Sequence, residues 1–483
     1  MCGVFGVVLP PGTESGAAAV AALGLFALQH RGQESAGVAV SDGEQLMLYK
    51  DLGMISSVLD ERRLPSLRGD LAIAHCRYST TGSTVWENAQ PTFRLGPRRA
   101  VAIGHNGNLV NTRQLLGELR GGRARLPAST DTELLTALLA DEPGTDTVDA
   151  LLRVLPRLRG AYSLVVLDER RVIGLRDPFG FRPLVLGRLP LDGDRAGTGP
   201  GLWADDATSG WVLSSETTGL DIVGAEYVRD VEPGELVMID ERGLHSRRFA
   251  PPTPTYCLFE WVYLARPDHR QNGRSVLYAR REMGRILARE APVDAGIVIA
   301  VPDSGRDAAA GYATEAGLPF ADGLVKNRYV GRTFIQPTQS LRQMGIRLKL
   351  SPVREVVEGR RLVVVDDSIV RGNTSRQLVA MLRSAGAAEV HLRITSPPIK
   401  NPCYYGIDMA TRAELIGADL TEQEICDYVG ADSLHYITLD GLIAATPDDK
   451  SGLCRACFDG EYPIEVPGEH VELAQTKFEF EDV

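Results

Sequence analysis

The sequence predicts a two-domain chain: a strand-rich α+β half, then an α/β half built on a parallel sheet. Three observations predict this. The chain has 483 residues, more than one hydrophobic core ordinarily serves. The proline-rich segment Ala250-Pro-Pro-Thr-Pro-Thr-Tyr256 cannot continue a helix or a central strand, so it marks a boundary. The apolar pattern also changes there, from short β-like runs to alternating strand and helix units.

In the first half the β-like runs are Val4–Val8, Leu71–Ala74, Val101–Ile103, Tyr162–Leu167, Trp211–Ser214 and Glu235–Ile239. Helical spacing appears over Ala17–Gln29 and Thr132–Leu139. Residues 190–210, rich in Gly, Asp and Ala, read as a surface insertion. In the second half Gly296–Val301, Arg361–Val365 and Val390–Ile394 read as strands, with helices over Arg306–Glu315 and Ser375–Ser384. Such strand–helix–strand units imply parallel strands that bind ligands at their C-terminal ends.

Composition removes several function classes. A net charge of −11 argues against a nucleic-acid partner, which needs a basic footprint. No apolar run approaches the ~18 residues of a membrane span. The N-terminus lacks the basic start of a secretory signal, so a cytoplasmic protein without a membrane partner is expected. The seven cysteines (Cys2, Cys76, Cys257, Cys403, Cys426, Cys454 and Cys457) are too scattered for a disulfide framework.

The most specific local signal is Arg361-Leu-Val-Val-Val-Asp-Asp-Ser-Ile-Val-Arg-Gly-Asn-Thr-Ser375. An apolar strand delivers Asp366 and Asp367 to its end. Ser368, Arg371, Gly372, Asn373, Thr374 and Ser375 then lead into a helix. Small and hydroxyl residues let backbone N–H groups converge on an anion at a helix N-terminus. The paired carboxylates suit ribose hydroxyls or Mg²⁺. A solvated turn is the bland alternative for an isolated Asp-Asp, but the full combination disfavours it. The turn Val301-Pro-Asp-Ser-Gly305 is placed to present Ser304 to the same group. The segment Lys326–Lys349 carries Lys326, Arg328, Arg332, Arg342, Arg347 and Lys349 and no acidic residue, although the chain has only six lysines. It reads as a flap closing over a diphosphate, against the alternative of a basic surface loop. Neither a P-loop nor a Rossmann glycine motif is present.

At the other end, Cys2 follows Met1. Removal of Met1 would give Cys2 a free α-amine, whose reference pKa of ~7.7–8.0 lets it serve as base to its own thiol. Alone, Cys2 would be incidental. It is joined by Gln29-His-Arg-Gly-Gln-Glu-Ser-Ala-Gly37, His75-Cys-Arg-Tyr-Ser-Thr-Thr-Gly82, Gly104-His-Asn-Gly-Asn108 and Ser129-Thr-Asp-Thr-Glu133.

In this order these motifs resemble the class II glutamine amidotransferases, which implies an αββα sandwich with an N-terminal nucleophile. Carried over motif by motif, the likeness gives Arg77 the glutamine α-carboxylate and Asp131 the α-ammonium. Asn106 and the Gly107 N–H become the oxyanion hole. His105 and Arg31 read as structural supports. The 361–375 run resembles the type I phosphoribosyltransferases, which implies that Ser304, Asp366 and Asp367 meet Mg²⁺ and that Lys326 and Arg332 reach pyrophosphate.

The two together are similar to the amidophosphoribosyltransferase family. The match is strengthened by Tyr256-Cys-Leu-Phe-Glu-Trp-Val-Tyr-Leu-Ala-Arg-Pro-Asp268 and Pro402-Cys-Tyr-Tyr-Gly-Ile-Asp408. It implies a glutaminase domain over 2–249, a transferase domain over 257–450 and a tail over 451–483. Glutamine and phosphoribosyl pyrophosphate are the implied substrates, with ammonia passed between domains. It also implies purine-nucleotide inhibitors and a homo-oligomer, dimer or tetramer. The pair Cys454 and Cys457 leaves zinc, redox chemistry and chance open by spacing alone. The cluster-bearing branch of the family adds Cys257 and Cys403 and implies a [4Fe–4S] centre. Other class II amidotransferases share only the first half. A non-catalytic nucleotide sensor would not need the Cys2 constellation.

Overall fold

The computed structural model describes residues 2–10, 13, 16–79, 83–119, 126–190, 209–327, 349–409, 411–448 and 450–468. The chain divides into two compact units. The first comprises Met1–Cys257, Cys403–Ala410 and Tyr462–Val483, and the second comprises Leu258–Pro402 and Thr411–Glu461. The first crossing falls just past the proline-rich segment. The return of 403–410 to the first unit has no counterpart in a linear reading.

The first unit holds two antiparallel sheets. From edge to edge, one runs Glu226–Asp230, Val185–Leu189, Gly210–Ser214, Gly3–Val8, Leu71–Arg77, Ser35–Ser41 and Leu46–Leu52. The other runs Gly243–Arg248, Glu235–Asp240, Val172–Arg176, Gly160–Leu167, Ala100–Leu109 and Thr92–Leu95.

Strand periodicity sorts the side chains into layers. Val4 joins Ile73, Ala102, Val165 and Val237 in the core between the sheets. Phe5 and Val7 face the other way, into a core shared with Ala18, Ala21 and Leu25 of the helix Ala17–Ala27. A Cβ on Gly24 would come within 2.1 Å of the Phe5 ring, so only glycine lets this helix settle there. Burying a ring such as Phe5 contributes on the order of 2 kcal/mol. Val101 and Ile103 pack under the helices Asp131–Asp141 and Thr147–Val154 on the opposite side. The result is helix, sheet, sheet, helix.

The strand beginning at Ala100 extends beyond the expected Val101–Ile103 to Leu109. His105–Asn108 stay in register with Ala161–Leu164 of the neighbouring strand. The polar stretch is therefore strand rather than loop.

The second unit is α/β. The strands Ile297–Ala300, Arg361–Asp366, Glu389–Ile394 and Ser433–Tyr436 lie side by side in that order, all parallel. The helices Val276–Glu290 and Arg306–Ala316 pack together closely. A Cβ on Gly284 would lie 1.9 Å from Ala308 O, and one on Gly311 would lie 2.0 Å from Arg281 O. Parallel order brings the turns after Ala300, Asp366 and Ile394 to one edge, the edge at which parallel α/β sheets bind their ligands. No described helix is long and apolar enough to cross a membrane.

Candidate active sites

Cys2 precedes the central strand Gly3–Val8 and is 8% exposed. Its backbone nitrogen donates to Asn106 Oδ1 at 3.2 Å, and its sulfur lies 3.7 Å from the Tyr78 carbonyl oxygen. Asn106 is fully buried, and among the described residues its Nδ2 has no hydrogen-bond partner. A buried amide donor without an acceptor costs roughly 1–3 kcal/mol, a cost that an incoming oxygen would remove. Gly107 follows with φ +156°, and a Cβ there would lie 2.0 Å from the Ala161 oxygen. Only glycine fits.

Arg77 ends the strand Leu71–Arg77 and is buried, with Nη1 donating to Ser83 O at 3.1 Å. Burial pushes its guanidinium down, while Cys2, Glu34 and Asp131 favour its charge. Asp131 opens the helix Asp131–Asp141, where the helix dipole favours an anion. Its Oδ2 accepts the Leu109 N–H at 3.0 Å and lies 3.6 Å from His105 Nδ1. Burial opposes ionisation of Asp131, but His105 and the Leu109 and Thr132 N–H groups hold its carboxyl below the ordinary value. Burial likewise opposes charge on His105, and Asp131 outweighs it, raising the imidazole above 6.5. Arg31 is buried against Glu216, which His30 also meets at 2.6 Å. The cavity thus gathers a thiol, an open amide donor, a guanidinium and a carboxylate. That set suits attack on an amide of an α-amino acid.

Sequence patterns did not mark the backbone that frames this cavity. Asn108 Nδ2 donates to Tyr404 O at 3.0 Å, and Arg182 grips Tyr405 O through Nε and Nη2 at 3.2 and 2.7 Å. Tyr78 OH donates to Asp408 at 3.4 Å. Residues 80–82 of the 75–82 motif lie outside the described residues.

In the second unit, Asp366 closes the strand Arg361–Asp366 and Asp367 follows it. Asp366 Oδ1 accepts the Asp367 N–H at 2.9 Å, and Ser368 Oγ donates to Asp367. Burial first, and mutual repulsion second, push Asp366 well up. Burial also raises Asp367, against the hydroxyls of Ser304 and Ser368 and the charge of Arg280. Ser304 therefore reaches the same carboxylate. A Cβ on Gly305 would lie 2.4 Å from Val365 O, so the two strand-end turns touch through backbone.

Gly372, at φ +74°, turns the loop into the helix Asn373–Ser384, whose first turn carries Thr374 and the buried Ser375. Asn373 Oδ1 accepts Tyr428 OH at 2.9 Å, and Arg371 pairs with Glu414 at 2.9 Å. Lys326 pairs with Asp303 of the Ser304 turn at 2.5 Å. The strands Leu324–Lys326 and Leu350–Pro352 pair antiparallel at the base of the expected flap. Arg332 and residues 328–348 lie outside the described residues.

Cys257, Cys454 and Cys457 are buried and Cys403 is half-buried. The Cys457 carbonyl accepts the N–H groups of Lys400 at 2.9 Å and Asn401 at 3.1 Å, and Cys403 N donates to Met409 O at 3.0 Å. Among the described residues, no three His, Cys, Asp or Glu side chains are gathered to hold a metal ion. The Asp pair with Ser304 suits a hard cation.

A glutamine amidotransferase domain model matches residues 75–196. The chain is 55% identical over 480 residues to the amidophosphoribosyltransferase of Mycobacterium tuberculosis, covering 97% of this chain and 87% of that protein. It is 47% identical over 478 residues to the amidophosphoribosyltransferase of Archaeoglobus fulgidus, covering 98% of this chain and all of the other. The glutamine phosphoribosylpyrophosphate amidotransferase from B. subtilis, solved with ADP and GMP, superposes with a TM-score of 0.86 at 43% identity, covering 97% and 98% of the two chains.

Proposed function

Because the chain belongs to the amidophosphoribosyltransferase family, we propose that its two constellations carry the two halves of that reaction. The enzyme converts glutamine, phosphoribosyl pyrophosphate and water into 5-phosphoribosylamine, glutamate and pyrophosphate in purine synthesis.

The glutaminase half runs on Cys2 in this reading. With Met1 removed, the nitrogen now bonded to Asn106 becomes the α-amine and takes the thiol proton. The thiolate adds to the glutamine amide carbon, and the amide oxygen becomes an oxyanion. Asn106 Nδ2 and the Gly107 N–H receive it. Ammonia leaves, and water cleaves the thioester to glutamate. Arg77 holds the substrate α-carboxylate and Asp131 its α-ammonium. The observation that carries this is the buried Asn106 Nδ2 beside Cys2, which has no hydrogen-bond partner among the described residues. A preformed donor without an acceptor is what a transition state with developing negative charge needs.

The transferase half uses the loop Asp366–Ser375. Ser368, Gly372, Asn373, Thr374 and Ser375 cradle the ribose phosphate at the helix N-terminus. Asp366 and Asp367 meet the ribose hydroxyls. Arg371 and Lys326 would exchange their present carboxylate partners for substrate, with Arg332 joining them. Mg²⁺, held by Asp366, Asp367 and Ser304, would supply neutralising charge to the departing pyrophosphate. Cys257, Cys403, Cys454 and Cys457 would hold a [4Fe–4S] centre, a reading that rests on donor chemistry and family likeness. Transfer of ammonia between 2–249 and 257–450, purine-nucleotide inhibition, a homo-oligomer and a cytoplasmic location complete the proposal.

The test is Cys2→Ala. It should abolish glutamine-dependent synthesis and spare synthesis from added ammonia. Loss of both activities in a folded variant would defeat the division of labour.

A further inference from the structure

We infer that Arg182 is a positioning residue for the oxyanion site, acting through the backbone of Tyr404–Gly406. This rests on the reading of Asn106 and Gly107 as the oxyanion hole.

Arg182 is fully buried and donates twice to the Tyr405 carbonyl, at 3.2 and 2.7 Å. The preceding carbonyl, on Tyr404, accepts Asn108 Nδ2 at 3.0 Å. Two consecutive carbonyls are therefore held from two sides, one of them by the residue that follows Gly107. The next residue is Gly406, at φ +99°. A Cβ on it would lie 2.9 Å from both the carbonyl carbon and the oxygen of Gly107. Its backbone therefore lies close to the Gly107 carbonyl, which belongs to the peptide after the one that carries the Gly107 N–H. The Ala161 carbonyl likewise leaves Gly107 no room for a Cβ. Gly107 is therefore crowded by both Ala161 and Gly406, so the placement of Gly406 bears on the orientation of the residue that carries the Gly107 N–H.

The mount of Arg182 is itself rigid. Its carbonyl accepts Arg176 Nε at 2.7 Å and Ser163 Oγ at 2.9 Å. Asp177 accepts the Phe179 and Gly180 N–H groups at 2.9 and 2.8 Å, fixing the turn that leads to Arg182. The Phe181 ring stacks on Tyr405 with centroids 4.6 Å apart. Burying a guanidinium carries a desolvation cost. What Arg adds is two donors in a fixed fork, which sets direction as well as distance.

The test compares Arg182→Met, Arg182→Lys and Asn106→Asp. Each is assayed for glutamate release, ammonia-dependent synthesis, and inhibition by the γ-aldehyde analogue of glutamine. The Cys2 thiolate adds to that aldehyde, and the resulting oxyanion sits where the hydrolytic one would. In Arg182→Met, kcat for glutamate release should fall about ten- to a hundredfold, the scale of an ångström misplacement. Aldehyde inhibition should weaken in the same ratio, while the glutamine KM stays within about twofold. Arg182→Lys should recover part of kcat, because one donor remains. Ammonia-dependent synthesis should be unchanged in both, which also shows that the variants fold. An unchanged kcat in either Arg182 variant would overturn the inference. So would a KM rise that accounts for the whole loss, or equal loss of the ammonia reaction. If Asn106→Asp leaves kcat unchanged, the oxyanion reading itself fails. If Asn106→Asp lowers kcat and Arg182→Met does not, only the role of Arg182 falls.

Discussion

The backbone nitrogen of Cys2 and the side-chain oxygen of Asn106 meet at 3.2 Å across 104 positions of the chain. One amide side chain thereby meets Cys2 with its oxygen, while its nitrogen has no hydrogen-bond partner among the described residues. Asn106→Asp separates the two duties, because aspartate retains the acceptor and lacks the donor. Glutamine turnover should fall by about 10²–10³-fold, as for loss of one oxyanion donor. Alkylation of Cys2 by iodoacetamide should continue at a similar rate. Slowed alkylation in proportion to turnover would show that the acceptor contact was lost instead.

The Asp366–Asp367 pair leads to a second expectation. Asp366→Asn and Asp367→Asn each remove a charged hydrogen-bonding group, worth roughly 1.5–3 kcal/mol. The kcat/KM for phosphoribosyl pyrophosphate should drop about tenfold or more, equally with glutamine and with ammonia. A defect seen with glutamine alone would move these residues out of the transferase step.

His105 and Asp131 set a pH dependence of stability. The folded imidazole lies above 6.5, so its contribution is whole below that value and is lost as pH rises through the folded one. Asp131 behaves oppositely. Its contribution is whole above 3.8 and is lost as pH falls through the lower folded value. His75, the neighbouring imidazole, is held down to about 3, chiefly by burial, and stays neutral across this range. The stability gap between the parent protein and His105→Asn should therefore narrow as pH rises from 6.5 in urea melts. A gap that stays flat over that range would mean the imidazole is uncharged in the fold.

A fourth expectation concerns the cysteines. Protein purified without oxygen should be brown and contain about four irons per chain, the complement of one cubic cluster. Cys454→Ser or Cys457→Ser should be colourless or pale. Active, colourless parent protein containing zinc or no metal would remove the cluster.

Local signals located the strand and the helix of 361–375 well, because the strand, the paired carboxylates and the helix start are contiguous in sequence. The first unit was less legible. Ser35–Ser41 is buried along its whole length, so it shows no alternation of polar and apolar residues to mark it as strand. His105–Asn108 look like loop because their side chains serve a cavity instead of a core. Arg182 was invisible for a different reason. Its partner is a carbonyl 223 positions away, and a carbonyl is present at every residue, so no side-chain pattern announces it.

The chain leaves one unit for the other after Cys257, Pro402, Ala410 and Glu461. A gene fragment ending near the proline-rich segment would encode Cys2, Arg77, Asn106 and Asp131, yet not the strip of backbone that Arg182 and Asn108 hold. Excising the first unit intact would therefore take three separate stretches of chain, Met1–Cys257, Cys403–Ala410 and Tyr462–Val483.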